Sequence, residues 1–173
     1  MKLPVTQENA WYRDGLSFTC TQCGNCCTGG PGYVWLSDVE VQRLADHLKL
    51  GVEETVRRYC RRVGNGLSLK ENKNFRGEYD CIFLKEEPLA DGTFSRRKPG
   101  KRVCTIYPVR PSQCRTWPFW DGNLASRSDW NRASGGCPGI NKGRSYTFEQ
   151  IESLRTAPDW PANPPTSAAG ESK

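Results

Sequence analysis

Cys20-Thr21-Gln22-Cys23-Gly24-Asn25-Cys26-Cys27 holds four of the chain's nine cysteines within eight residues. Two residues between cysteines let a tight turn aim two thiolates at one point, the spacing of zinc sites and iron–sulfur loops. Cys26 and Cys27 are adjacent, and neighbouring side chains tend to point apart. The pair therefore suggests two metal centres, or one centre and a spare thiol. Cys60, Cys81, Cys104, Cys114 and Cys137 follow at wider intervals.

Composition supports a fold organised by such a site. A chain of 173 residues is expected to form one domain. Hydrophobic residues are 36% and the mean hydropathy is -0.71, so the apolar core is thin for the length and needs staples. Twelve prolines and 17 glycines imply much irregular backbone. Met1 to Thr19 has no apolar stretch of signal-peptide length, and no segment approaches the ~20 apolar residues that span a bilayer. A cytoplasmic protein is the expectation, with no membrane partner and with cysteines acting as ligands rather than disulfides. An odd number of cysteines also argues against a disulfide scaffold.

Around the cysteine loop the chain divides into a lead-in (1–19), a metal-binding domain (20–156) and a Pro-, Ala- and Ser-rich tail (157–173) expected to be disordered. Trp11, Tyr12 and Phe18 of the lead-in can pack on the core. Ser37-Asp38-Val39-Glu40 fits a capping box, and Val41, Leu44, Ala45 and Leu48 recur at helical spacing. Gly51 ends that helix. A second helix is expected over Val52–Val63, with Val56, Tyr59, Cys60 and Val63 on one face, which makes Cys60 a small buried hydrophobe. His47, the only histidine, reads as a helix-surface residue near a C-terminus. Asp80 to Leu84 reads as a buried strand with Arg102 to Pro108 as its hairpin partner, which would bring Cys81 near Cys104. One last short helix is expected before the tail. The fold class is a small, irregular α+β domain with a helix pair and short antiparallel strands.

The combination CTQCGNCCTGG, CIFL, CTIYPVRPSQCRTWPFW and CPGI resembles the YkgJ-type cysteine-cluster family, over about Cys20 to Tyr146. The resemblance implies a small, mainly bacterial domain of the zinc- or iron-chelating kind with a CxxCxxCC motif. A related motif in a flagellin lysine methylase that resembles an iron–sulfur protein leans the metal toward iron. The methylase activity is not carried over, because no Gly-rich nucleotide-binding turn follows a strand. Cys60 departs from the family pattern.

Eight candidate ligands remain: Cys20, Cys23, Cys26, Cys27, Cys81, Cys104, Cys114 and Cys137. In the working arrangement Cys26 and Cys27 divide between two four-cysteine centres. Cys20 and Cys23 belong to one and Cys81 and Cys104 to the other, with Cys114 and Cys137 unassigned. The alternative is a single four-iron, four-sulfur cluster. An iron–sulfur cluster is favoured as the cofactor, with zinc or iron ions as the other possibility. The implied role is redox or metal handling; the alternative is a zinc-stabilised protein- or nucleic-acid-interaction module. No acid–base pair or cofactor loop supports a named reaction. Arg110 and Arg115 flank Cys114 and can offset thiolate charge or serve surface pairs equally well. Trp117, Phe119 and Trp120 read as a wall that excludes water. Net charge is +6 and the pI is about 8.9, with clusters at Arg57-Arg58 with Arg61-Arg62 and at Arg96-Arg97-Lys98 with Lys101-Arg102, which read as solvated faces rather than a nucleic-acid patch.

Overall fold

Ser37 and Glu40 form the reciprocal cap that their spacing demands, and the helix they open positions half of the fold. A computed structural model describes residues 6–95 and 100–157. The tail from Pro158 and the Arg96-Arg97-Lys98 cluster lie outside the described residues. The chain begins with β1 (Leu16–Phe18), β2 (Thr28–Gly29) and β3 (Trp35–Leu36), then α1 (Asp38–Leu48) and α2 (Val52–Tyr59). Six short strands follow: β4 (Cys60–Val63), β5 (Gly66–Leu69), β6 (Glu71–Lys73), β7 (Tyr79–Cys81), β8 (Leu84–Glu86) and β9 (Arg102–Cys104). Then come α3 (Ser112–Thr116), α4 (Asp121–Leu124), α5 (Arg127–Gly136), β10 (Ile140–Tyr146) and α6 (Phe148–Thr156). The sheets run β1-β10, β2-β7-β6, β3-β5-β4 and β8-β9, with each pairing antiparallel. This is the small α+β domain expected.

Three local expectations are corrected. The second helix stops at Tyr59, and Cys60–Val63 is a strand. Gly64, in the left-handed region, and Asn65 turn the chain so that Cys60 pairs with Leu69. Cys60 remains a buried core residue there. The apolar run at 80–84 does not form one strand. It breaks after Cys81, so β7 joins β2 and β6 while β8 pairs with β9, Leu84 opposite Cys104. The second half also holds α3, α4 and α5 besides the expected last helix. His47 is exposed in the last turn of α1, as read.

The apolar side chains gather into two cores. In the first, Tyr12, Phe18, Phe119, Trp130, Ile140 and Ile151 are buried together, and Phe119 stacks on Trp130 at 5.7 Å between ring centroids. In the second, α1 packs Val41 and Leu44 against Leu36, Leu69, Phe83 and Ile106. Each large apolar side chain buried this way contributes about 1.5–3 kcal/mol. Arg57 and Arg58 pair with Glu54, and Arg61 pairs with Glu71, so these clustered cations are partly neutralised at short range. No helix of the described residues is long and apolar enough to cross a membrane.

Candidate metal centre

The loop after β1 curls because Gln22 and Gly24 both take left-handed backbone, with φ of 55° and 73°. A side chain at Gly24 would meet Arg102 Cβ at 2.8 Å, so this position also needs glycine for close approach. The Gln22 N–H donates to Cys20 Sγ at 3.4 Å, the kind of backbone bond that steadies a ligand sulfur. Cys26 and Cys27 sit in a short turn of 3₁₀ helix, closed by the Cys27 N–H bonding Gly24 O. Asn25 ties the turn down on both sides: it donates to Gly136 O at 2.9 Å and accepts from the Arg102 guanidinium.

Cys20, Cys23, Cys26, Cys27, Cys81, Cys104, Cys114 and Cys137 all line one cavity of about 60 Å³, walled by Phe18, Leu69, Ile106 and Trp117. Cys81 and Cys104 reach it from the ends of β7 and β9, Cys114 from α3, and Cys137 from the end of α5. Cys60 does not line it. A second cavity, of about 160 Å³, shares Cys26, Cys27 and Cys81 as its wall and includes Trp120, Tyr33 and Glu71. The vicinal thiols do not point apart: their sulfurs face each other at 3.8 Å. The 3₁₀ turn brings them to one side, so the steric reason for separating them does not hold. Among the described residues no group of three or more His, Cys, Asp or Glu side chains already has the arrangement of a closed metal-ion site. The thiols share a cavity without meeting at a point. No disulfide joins any of the nine cysteines.

The surroundings suit bound thiolates. Arg110 approaches Cys20 Sγ at 3.9 Å and lies over the Tyr107 ring at 3.8 Å. The Trp117 indole N–H donates to Cys137 Sγ at 3.4 Å. Arg115 instead donates to the backbone carbonyl of Arg110 at 2.7 Å. Phe119 lies in the first core rather than on the cavity wall. The thiol of Cys27, bonded by Cys26 and buried, is pushed up, while the same bond brings Cys26 down to about 7. Burial pushes Cys81 up to about 11 and raises Cys104 and Cys114, and neighbouring thiols reinforce each of these shifts. Burial and mutual proximity thus favour the protonated thiols in the cavity, and deprotonating several of them together would call for a cation beside them, as metal ligation supplies. Asn25 and Tyr107 carry parts of this frame that residue spacing gave no sign of. Asn25 lies inside the cysteine motif itself, the one available signal.

The CxxCxxCC family, described as a "putative zinc- or iron-chelating domain", matches residues 19–138. The chain belongs to this family. Membership supports metal binding, of the zinc- or iron-chelating kind. An uncharacterised protein of Methanocaldococcus jannaschii is 30% identical over 108 residues, 62% of this chain and 48% of that protein. The chain thus spans about half the length of this relative. No solved structure matches.

Proposed function

We propose that the chain holds iron as iron–sulfur cluster material through Cys20, Cys23, Cys26, Cys27, Cys81, Cys104, Cys114 and Cys137, and serves electron transfer or metal handling in the cytoplasm. One observation carries this reading: eight cysteines from separate segments line a single cavity of about 60 Å³. That is several times the ~10–15 Å³ that admits one water. It leaves room for an inorganic core, whereas a closed zinc site wraps four thiolates around one ion. Bound there, an iron–sulfur cluster supplies one-electron exchange at a potential set by its surroundings. Arg110 contributes positive charge beside Cys20, Trp117 donates toward Cys137, and Phe18, Leu69 and Ile106 keep water away.

A second reading has its own observation. The cavity lies where the two cores meet, the position of a structural staple. Zinc there would stabilise an interaction module without redox chemistry. Metal and acid-labile sulfide content of protein purified without oxygen, with its visible spectrum, separates the two. Iron, sulfide and a broad band that bleaches on reduction are expected. Zinc without sulfide or colour would overturn the iron–sulfur reading in favour of the staple.

A further inference from the structure

The eight thiols are not held by one half of the molecule. Cys137 is buried in the first core and Cys20 packs against it. Cys23 is taken with Cys20, because two residues between cysteines aim both thiolates at one point; the loop itself is tied by Asn25 both to Gly136, next to Cys137, and to Arg102 of β9. Cys81 and Cys104 pack against the second core. Cys114 hangs from that core as well. The Ser112 N–H donates to the buried Glu40 carboxylate of α1 at 2.5 Å. Gln113 accepts from the Trp35 N–H at 2.9 Å and donates to Tyr33 O at 3.1 Å. Helix α3 is thereby pinned on both sides of its first turn to α1 and β3 before the chain crosses to the first core at Phe119. Each core therefore contributes three thiols, and the vicinal pair stands between the two sets.

We propose that the centre consists of two adjoining four-thiolate positions. Cys20, Cys23 and Cys137 form one, Cys81, Cys104 and Cys114 form the other, and each takes one sulfur of the Cys26–Cys27 pair. The inference rests on the metal-binding reading above and adds the places of Cys114 and Cys137. Thiolate sites close at four ligands, for zinc and for iron–sulfur clusters alike, so three thiols from each core and one from the pair complete both. The 3.8 Å between the two vicinal sulfurs makes the positions neighbours in one cavity. The metal then joins the two cores, and each position can be filled or emptied while the other stays intact.

Metal per chain, measured on anaerobically purified variants, tests the division through additivity. Cys137→Ser and Cys114→Ser are each expected to lose about half of the metal. The same-side double variants, Cys20→Ser with Cys137→Ser and Cys81→Ser with Cys114→Ser, should lose no more than the singles. The cross-side double, Cys114→Ser with Cys137→Ser, should lose nearly all. A single substitution that strips everything, or a same-side double that does, overturns the division in favour of one indivisible centre. Wild-type protein without zinc or iron would instead remove the metal-binding reading beneath it. A second measurement needs no variant to fold: graded chelation of the wild-type protein, with iodoacetamide labelling read by peptide mass spectrometry. Cys20, Cys23 and Cys137 should become labelled as one group and Cys81, Cys104 and Cys114 as another, in separate phases. Labelling of all six in step overturns the proposal.

Discussion

Gly139 touches the backbone of Thr19, and replacing it with alanine tests whether that contact frames the site. The added Cβ would lie 2.1 Å from Thr19 O and 3.1 Å from its carbonyl carbon, where real contacts stay above 3.0 Å. The obstacle is backbone, so no rotamer change relieves it. The two segments must part by roughly 1 Å, straining the Thr19 N–H bond to Gly139 O. Overpacking of this kind costs about 1–3 kcal/mol, and weakening the hydrogen bond adds about 1 kcal/mol. For a domain of this size each kcal/mol lowers the melting temperature by about 2–4 °C, so Gly139→Ala should melt roughly 5–15 °C lower. Thr19 precedes Cys20 and Gly139 follows Cys137 by two residues, so the same separation should loosen metal held by those cysteines. Gly135→Ala is the internal comparison. It lies in α5 with nothing within 4 Å of the added atom, and should stabilise by about 0.4–1 kcal/mol. Thermal unfolding followed by circular dichroism at matched metal content reads both. A Gly139→Ala protein that melts with the wild type would refute the close approach of β1 and β10 at the cavity edge.

Glu86 and Arg76 form a bidentate pair at 2.6 Å, both side chains nearly nine-tenths buried, with the Gly100 N–H also donating to Glu86. The Arg76 guanidinium holds the Glu86 carboxyl below its usual range, so its stabilisation is present above the unfolded value of about 4.3 and is lost as pH falls through the lower folded one. Glu86→Gln should cost about 3–5 kcal/mol at pH 7, with the difference from wild type shrinking below about pH 4 in urea titrations. Glu40→Ala should leave the Ser112 N–H buried without its acceptor, costing about 1–3 kcal/mol in addition to the lost reciprocal cap at Ser37, and should raise the alkylation rate of Cys114 above that of Cys137. Arg110→Ala should shift the reduction potential of an iron–sulfur centre to more negative values, since a positive charge beside Cys20 favours the reduced state; an unchanged potential in a dye-mediated titration would remove Arg110 from that role.

What the sequence carried and what it did not divide along the range of the interactions involved. The α1 cap was legible because Ser37 and Glu40 act across three residues. The strand at Cys60–Val63 was hidden behind helical spacing, since pairing with β5 after the turn at Gly64 outweighed the local pattern. Helix α5 gave little signal because Trp130 alone among its residues is buried, and its polar and small residues show no apolar stripe. At the site, the eight cysteines that share the cavity were legible by type, because thiol chemistry travels with the residue itself. Their sides were not. The residue that fixes the place of Cys114 is Glu40, bonded to Ser112 from 72 positions away, and the one that holds the cysteine loop between the two sides is Asn25, bonded to Gly136 from 111 away and to Arg102 from 77 away. Spacing between cysteines cannot encode any of these contacts. The proposed division of thiols by core would therefore be a property of tertiary packing, and a substitution at Glu40, which leaves every thiol in place, should disturb Cys114 and its set before Cys20, Cys23 and Cys137.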